Sequence, residues 1–145
     1  MKKQWKFLLY TTAVLCMGVS CKKEVIPDDP LLGSTCNDGS CCGRDKTTYA
    51  YVQKIENMPA DFDNTGTSGA FVFGNKIGIG YHSALICDLS LSKTQNLKIT
   101  YDSKLWPNIP LKYRVWGIIY DDISNPRLVP GPIYYILIDK IETIN

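Results

Sequence analysis

Recognisable catalytic patterns are missing from these 145 residues. No G-x-S-x-G elbow occurs, and no Walker loop or H-E-x-x-H pair. There is one histidine, His82. It sits in Tyr81-His82-Ser83 with no base–orienter pair to name beside it, so it reads as a surface or loop residue. No segment sustains an amphipathic helical period, which excludes a helical bundle. The apolar run near the start, Phe7 to Ser20, is 14 residues long. That falls short of the roughly 20 residues needed to span a bilayer. A surplus of charge is also missing, since 16 Lys and Arg face 14 Asp and Glu. Nonspecific nucleic-acid binding wants a marked basic excess, so nucleic acid is not an expected partner.

What is present begins at the first residue. Lys2, Lys3 and Lys6 precede the apolar run, which exits through Gly18-Val19-Ser20 into Cys21. A positive start, a short apolar stretch and a small-residue exit describe a cleaved secretory signal. The exit resembles the lipobox of bacterial lipoproteins. That resemblance implies diacylglycerol on Cys21, cleavage before it by a type II signal peptidase, and acylation (palmitate) of the new amine. Lys22-Lys23-Glu24, then Asp28 and Asp29, resemble the charged start of Bacteroidetes outer-membrane lipoproteins, some of which are exported to the surface. The expectation is a cell outer membrane protein, lipid-anchored, with the periplasmic and surface-facing leaflets both open. Residues 1–20 are then signal peptide, 21–35 a lipidated tether and 36–145 a single β domain.

Removing the leader leaves 125 residues, enough for one domain with a real core. It also removes three lysines, so the mature chain is near neutral. Residues 22–35 carry two prolines and a glycine and read as a tether. A flexible chain of that length spans about 20 Å r.m.s..

Four cysteines remain for the domain: Cys36, Cys41, Cys42 and Cys87. In an oxidising compartment they suggest two disulfides with three possible pairings. A bond between adjacent Cys41 and Cys42 would close a strained ring and ranks last. The other pairings join Cys87 to Cys41 or to Cys42 and leave Cys36 to the remaining thiol. Zinc is the alternative, but Cys36-x4-Cys41-Cys42 lacks the C-x2-C spacing, so no metal and no cofactor is expected.

From Thr47 the texture is short β-rich runs broken by Gly, Pro and Asn. The runs are Thr48–Met58, Ala70–Ile77, Ala84–Asp88, Asn96–Asp102, Leu111–Tyr120 and Ile133–Ile141. Five or six such strands at this spacing indicate a sandwich or a small barrel. Leu111, Tyr113, Val115 and Ile119 share one face, read as the core side. Gly117 falls in that row, where a glycine often marks a bulge or tight bend. Lys112 to Tyr120, a Pro/Gly loop, and Tyr135 to Glu142 resemble the last two strands of OB-fold-like domains. Small uncharacterised Bacteroidetes lipoproteins show a similar ending. The resemblance implies an all-β, OB-like barrel of five to six strands, with an immunoglobulin-like β-sandwich as the alternative.

Two acidic stretches need weighing. Asp61-Phe62-Asp63-Asn64-Thr65-Gly66 starts like a calcium loop but fails at Thr65 and at Val72, where the closing Glu belongs. It reads as a turn, and so does Asp121-Asp122 before Ser124-Asn125-Pro126. The remaining candidate is the outer face of the Leu111 strand, with Lys112, Arg114, Trp116, Ile118 and Tyr120. Cations beside aromatics can stack planar groups or sugar rings, and a strand face binds oligosaccharide or nucleic acid in OB-type domains. The competing expectation is that Trp116, Ile118 and Tyr120 fill a second buried layer, with Lys112 and Arg114 snorkelling at its edge. The functional expectation is an envelope binding or interaction module without catalytic activity, taking a glycan or an envelope protein. The alternative is an inhibitor or accessory subunit of an envelope complex.

Overall fold

The structure, a computed structural model, describes residues 31–64, 66–124 and 131–144. The signal, Cys21 and the tether as far as residue 30 lie outside the described residues. Six strands follow in chain order: β1 (Thr35–Asp38), β2 (Asp45–Asp63), β3 (Ala70–Ile77), β4 (Tyr81–Ile86), β5 (Tyr113–Asp122) and β6 (Tyr134–Thr143). Two 3-10 turns, Asp88–Lys93 and Ser103–Leu105, lie between β4 and β5.

The strands form one sheet in the order β1-β2-β3-β4-β6-β5, and β5 returns to pair with β2. Five strands therefore close a ring, with β1 added outside on β2. All pairings are antiparallel except β4 with β6. The ring decides for a small all-β barrel over a two-sheet sandwich.

Closure needs curvature, and the sequence supplies it at defined points. β2 is 19 residues long. Its pairing with β5 shifts between Tyr51 and Gln53, and again between Ile55 and Met58. Asn57, in the second shift, takes φ 55°, a left-handed conformation that asparagine tolerates. Each bulge adds twist and bends the strand. β5 bends against β6 between Trp116 and Gly117. A Cβ on Gly117 would stand 2.4 Å from the Leu137 carbonyl oxygen. Only glycine lets the two backbones come this close.

The barrel interior follows the alternation of the strands. Tyr113, Val115 and Ile119 point inward from β5, as the sequence indicates, and meet Phe71 and Phe73 of β3 and Ile136 and Ile138 of β6. A second apolar cluster lies outside the barrel wall. Tyr49 and Tyr51 of β2, Tyr120 of β5 and Tyr135 of β6 pack there against Cys42 and Cys87. The cover is the N-terminal loop, closed by disulfides Cys36–Cys41 and Cys42–Cys87. This is one of the two pairings the sequence leaves open.

Three expectations are corrected. Asn96–Asp102 is not a strand. Its amides bond outside any ladder: Lys98 N to Tyr113 Oη at 3.0 Å, and Thr100 N and Tyr101 N both to the Phe62 carbonyl. Asp61 to Asp63 is not a turn but the end of β2. Asp61 is fully buried. Its two oxygens accept from Leu111 N at 2.8 Å and Lys112 N at 3.0 Å, so a structural clamp, and no calcium loop, explains this carboxylate. Asp121 and Asp122 are the last residues of β5, not a solvated turn. The turn comes after them, where Asp122 Oδ1 accepts from Ser124 N and Oγ.

Candidate functional site

The connection from β4 to β5 runs from Cys87 to Lys112 and shapes the outer surface of the barrel. Its first part docks against β6. Ser90 is buried and its Oγ accepts from Ile138 N at 2.8 Å, while Lys93 Nζ donates to the Ile138 carbonyl. This turn takes the place of β4 beside β6, because β4 pairs with β6 only through Leu85 and Ile86. The second part returns along β2. Tyr113 Oη both accepts from Lys98 N and donates to Lys98 O. Phe62 N donates to Thr100 Oγ1 at 3.1 Å. Asp102 then caps the short Ser103–Leu105 turn by accepting from Lys104 N, and the chain emerges at Trp106.

These fixings place Tyr101 and Trp106 over the outer face of β2, β3 and β4. A groove of about 460 Å³ opens between them and the sheet. Its floor is small: Ala70 and Val72 of β3 and Ser83 of β4. Asp63 of β2 lies at one end and His82 of β4 at the other. Trp106 is 44 % exposed, and its ring meets the His82 ring edge-on, with centroids 4.9 Å apart. His82 Nδ1 lies 3.1 Å from the Phe73 carbonyl oxygen. A carbonyl only accepts, so Nδ1 is the donor in this contact. His82 is thus a half-buried strand residue rather than a loop residue. No group of three or more metal-ligating side chains is assembled among the described residues.

The face expected from sequence lies elsewhere and is divided. Tyr120 is buried in the tyrosine cluster, with its ring 6.3 Å from Tyr49 and 6.4 Å from Tyr51. Ile118 packs against the same cluster. Burial pushes the Tyr49 and Tyr120 hydroxyls above their ordinary range. These two positions belong to the second layer. At the other end Lys112 is exposed, while Arg114 and Trp116 are half-buried. Arg114 Nη1 donates to the Asn57 carbonyl. Lys140 Nζ lies 4.8 Å from the Trp116 ring centroid and pairs with Glu142. Trp116 therefore already has a cation on its face. Trp116→Ala is expected to cost about 1–2 kcal/mol in urea unfolding, well below the 3–5 kcal/mol of a fully buried tryptophan. A loss in the upper range would make Trp116 a core residue.

A third polar set ties the N-terminal loop down. Arg44 donates to Asp88 through Nε and Nη2, and to Tyr135 Oη and Ser68 Oγ. Its guanidinium also lies 5.3 Å from the Tyr135 ring centroid. The hydrogen bond it donates to Asp88 raises the Arg44 pKa. With this many partners inside the fold, Arg44 reads as a fastener.

The groove residues carry little sequence signal. Trp106 stands in a polar, proline-containing loop, and His82 is solitary. A large aromatic in such a loop, with no strand pattern around it, is the cue that could have found the site. No known protein family, curated protein or solved structure matches the chain at a significant level.

Proposed function

We propose that this chain is a lipid-anchored binding module of the cell envelope, held at the outer membrane through Cys21 and without catalytic activity. The groove beside Trp106 carries the reading. It is an open recess walled by aromatics and fixed on a closed barrel, and its size falls within the range of ligand sites. The clamp at Asp61 and the bonds at Phe62 and Lys98 hold its loop wall in one place, so little ordering is left for binding to supply. The charged lipobox-like leader supplies the address.

Two measurements test this. Metabolic labelling with palmitate should mark the wild-type chain and leave Cys21→Ser unlabelled; equal label on both refutes the anchor. The purified chain should be retained on isolated envelope glycan, and retention should fall with Trp106→Ala. Failure to bind glycan, together with a stoichiometric envelope protein recovered from solubilised membranes, would replace this reading with that of an inhibitor or accessory subunit.

A further inference from the structure

We infer that the barrel end where the chain enters sits against the lipid bilayer, an assignment that rests on reading the chain as anchored through Cys21. Two tight turns with apolar tips meet there. The first is Leu31–Ser34, where the Leu31 carbonyl accepts from Ser34 N at 2.9 Å and Oγ at 2.6 Å. Gly33 takes φ 84°, and Leu32 is 71 % exposed. The second turn joins β3 to β4. Gly80 N donates to the Ile77 carbonyl, and Ile79 N donates to Tyr134 Oη at 3.0 Å. A Cβ on Gly78 would stand 2.2 Å from that hydroxyl oxygen, so glycine lets the turn dock on β6. Ile79 at its tip is 79 % exposed, more than any other exposed large hydrophobic among the described residues. Turns of this kind favour Gly, Asn, Asp and Ser. Here each holds an aliphatic side chain out, and neither side chain belongs to a core cluster.

The register brings the two tips together. β1 and β3 follow one another along the same edge of β2, opposite the edge that takes β5. The Ser34 carbonyl accepts from Tyr51 N, and Gln53 Oε1 accepts from Gly78 N at 3.3 Å. These fixing points are two residues apart on β2, roughly 7 Å. Tyr81, also exposed, flanks the second tip and meets the Tyr134 ring edge-on. Chain length says what covers this patch. Leu31 is the tenth residue after Cys21. Ten residues reach at most about 36 Å when extended, and a flexible chain of that length averages about 17 Å. With Cys21 in the lipid, the chain entry and both tips are the part of the domain held nearest the headgroups. Apolar side chains so placed enter the headgroup–acyl boundary by about 5–10 Å, and tyrosine is favoured at that level.

The test uses the mature chain, reconstituted in vesicles of phosphatidylethanolamine and phosphatidylglycerol. Acylation occupies Cys21 and the two disulfides occupy the other cysteines, so one added cysteine carries a fluorescent label alone. The label is placed by Leu32→Cys, Ile79→Cys or Ile99→Cys. Ile99 is the control, an exposed aliphatic whose neighbour Thr100 bonds to Phe62 at the far end of β2. Spin-labelled lipid should quench the label at positions 32 and 79 about threefold more than at 99, and raising salt to about 0.5 M should not change this. A label placed by Lys76→Cys beside the native tips separates their insertion from insertion of the label. Adding Leu32→Ser and Ile79→Ser should cut its quenching about threefold without moving the melting midpoint, since both side chains are exposed. A chain that carries no acyl group and does not float with the vesicles refutes the anchor and this inference together. A chain that floats, with positions 32 and 79 quenched no more than 99, overturns the bilayer contact alone. Quenching at position 76 that survives Leu32→Ser with Ile79→Ser overturns it as well. Labels that are wet in vesicles yet shielded in native envelope membranes would overturn it in favour of a protein partner on the same patch.

Discussion

Asp61→Ala is expected to destabilise the domain by about 3–5 kcal/mol, more than any substitution on the outer faces. The carboxylate is fully buried and holds the amides of Leu111 and Lys112. Bonds to an ionised acceptor contribute about 1.5–3 kcal/mol each, and removing the acceptor leaves both donors unsatisfied. Leu111 makes the clamp more necessary, because it takes φ 52°, a conformation that costs an ordinary residue roughly 1 kcal/mol or more. Without Asp61 the chain at Leu111 has no reason to hold that shape. The entry to β5 and the Trp106 wall would loosen together. Urea unfolding at neutral pH checks this. Asp61→Asn keeps one acceptor oxygen and should lose about half as much. A loss under about 1 kcal/mol for Asp61→Ala would show that the clamp is not a stabilising element.

The second large effect belongs to Cys42–Cys87. Its sequence separation is 45 residues, against 5 for Cys36–Cys41. Loop-closure entropy scales with the logarithm of the enclosed length, giving about 4 kcal/mol for the long loop and about 2 kcal/mol for the short one. Both sulfurs of the long bridge are also buried against Tyr49, Tyr120 and Tyr135. Replacing Cys42 and Cys87 together by Ala should therefore lower the melting midpoint on the order of 15 °C, and replacing Cys36 and Cys41 about half as far. Equal falls for the two double variants would refute the assignment of greater weight to the long bridge.

The two disulfides show how much of the fold was legible. Four cysteines and the strain of an adjacent bond narrow the pairings to two. The choice between them depends on which sulfur faces β4 across the tyrosine cluster, a relation that one sequence does not encode. Ala70–Ile77 is recovered with its bounds because Phe71-Val72-Phe73 is strongly β-forming and Gly69 and Gly78 flank the segment. Gly117 is recovered because a lone glycine in a strand has few other meanings. Asn96–Asp102 misleads because Leu97, Ile99 and Tyr101 alternate as in a strand, yet Ile99 is 61 % exposed and the amides bond to Phe62 and Tyr113 instead. The outer face of β5 is half legible. Alternation finds the row but cannot show that the N-terminal loop covers Tyr120 while Lys140 covers Trp116. The groove is the least legible part, since Asp63 and His82 share it through the β2–β3 and β3–β4 pairings and Trp106 joins them only by the docking of a long connection.

The long bridge also sets how the molecule responds to mechanical load. A pull at the N-terminal end frees Thr35 at the start of β1 and then meets two covalent links in series, Cys36–Cys41 and Cys42–Cys87. Beyond that point the tension passes straight to the end of β4 without crossing β2 or β3, which lie inside the closed loop. Those strands carry the floor and one end of the groove. They are shielded from the line of force, so the groove keeps its shape while only the first residue of β1 peels.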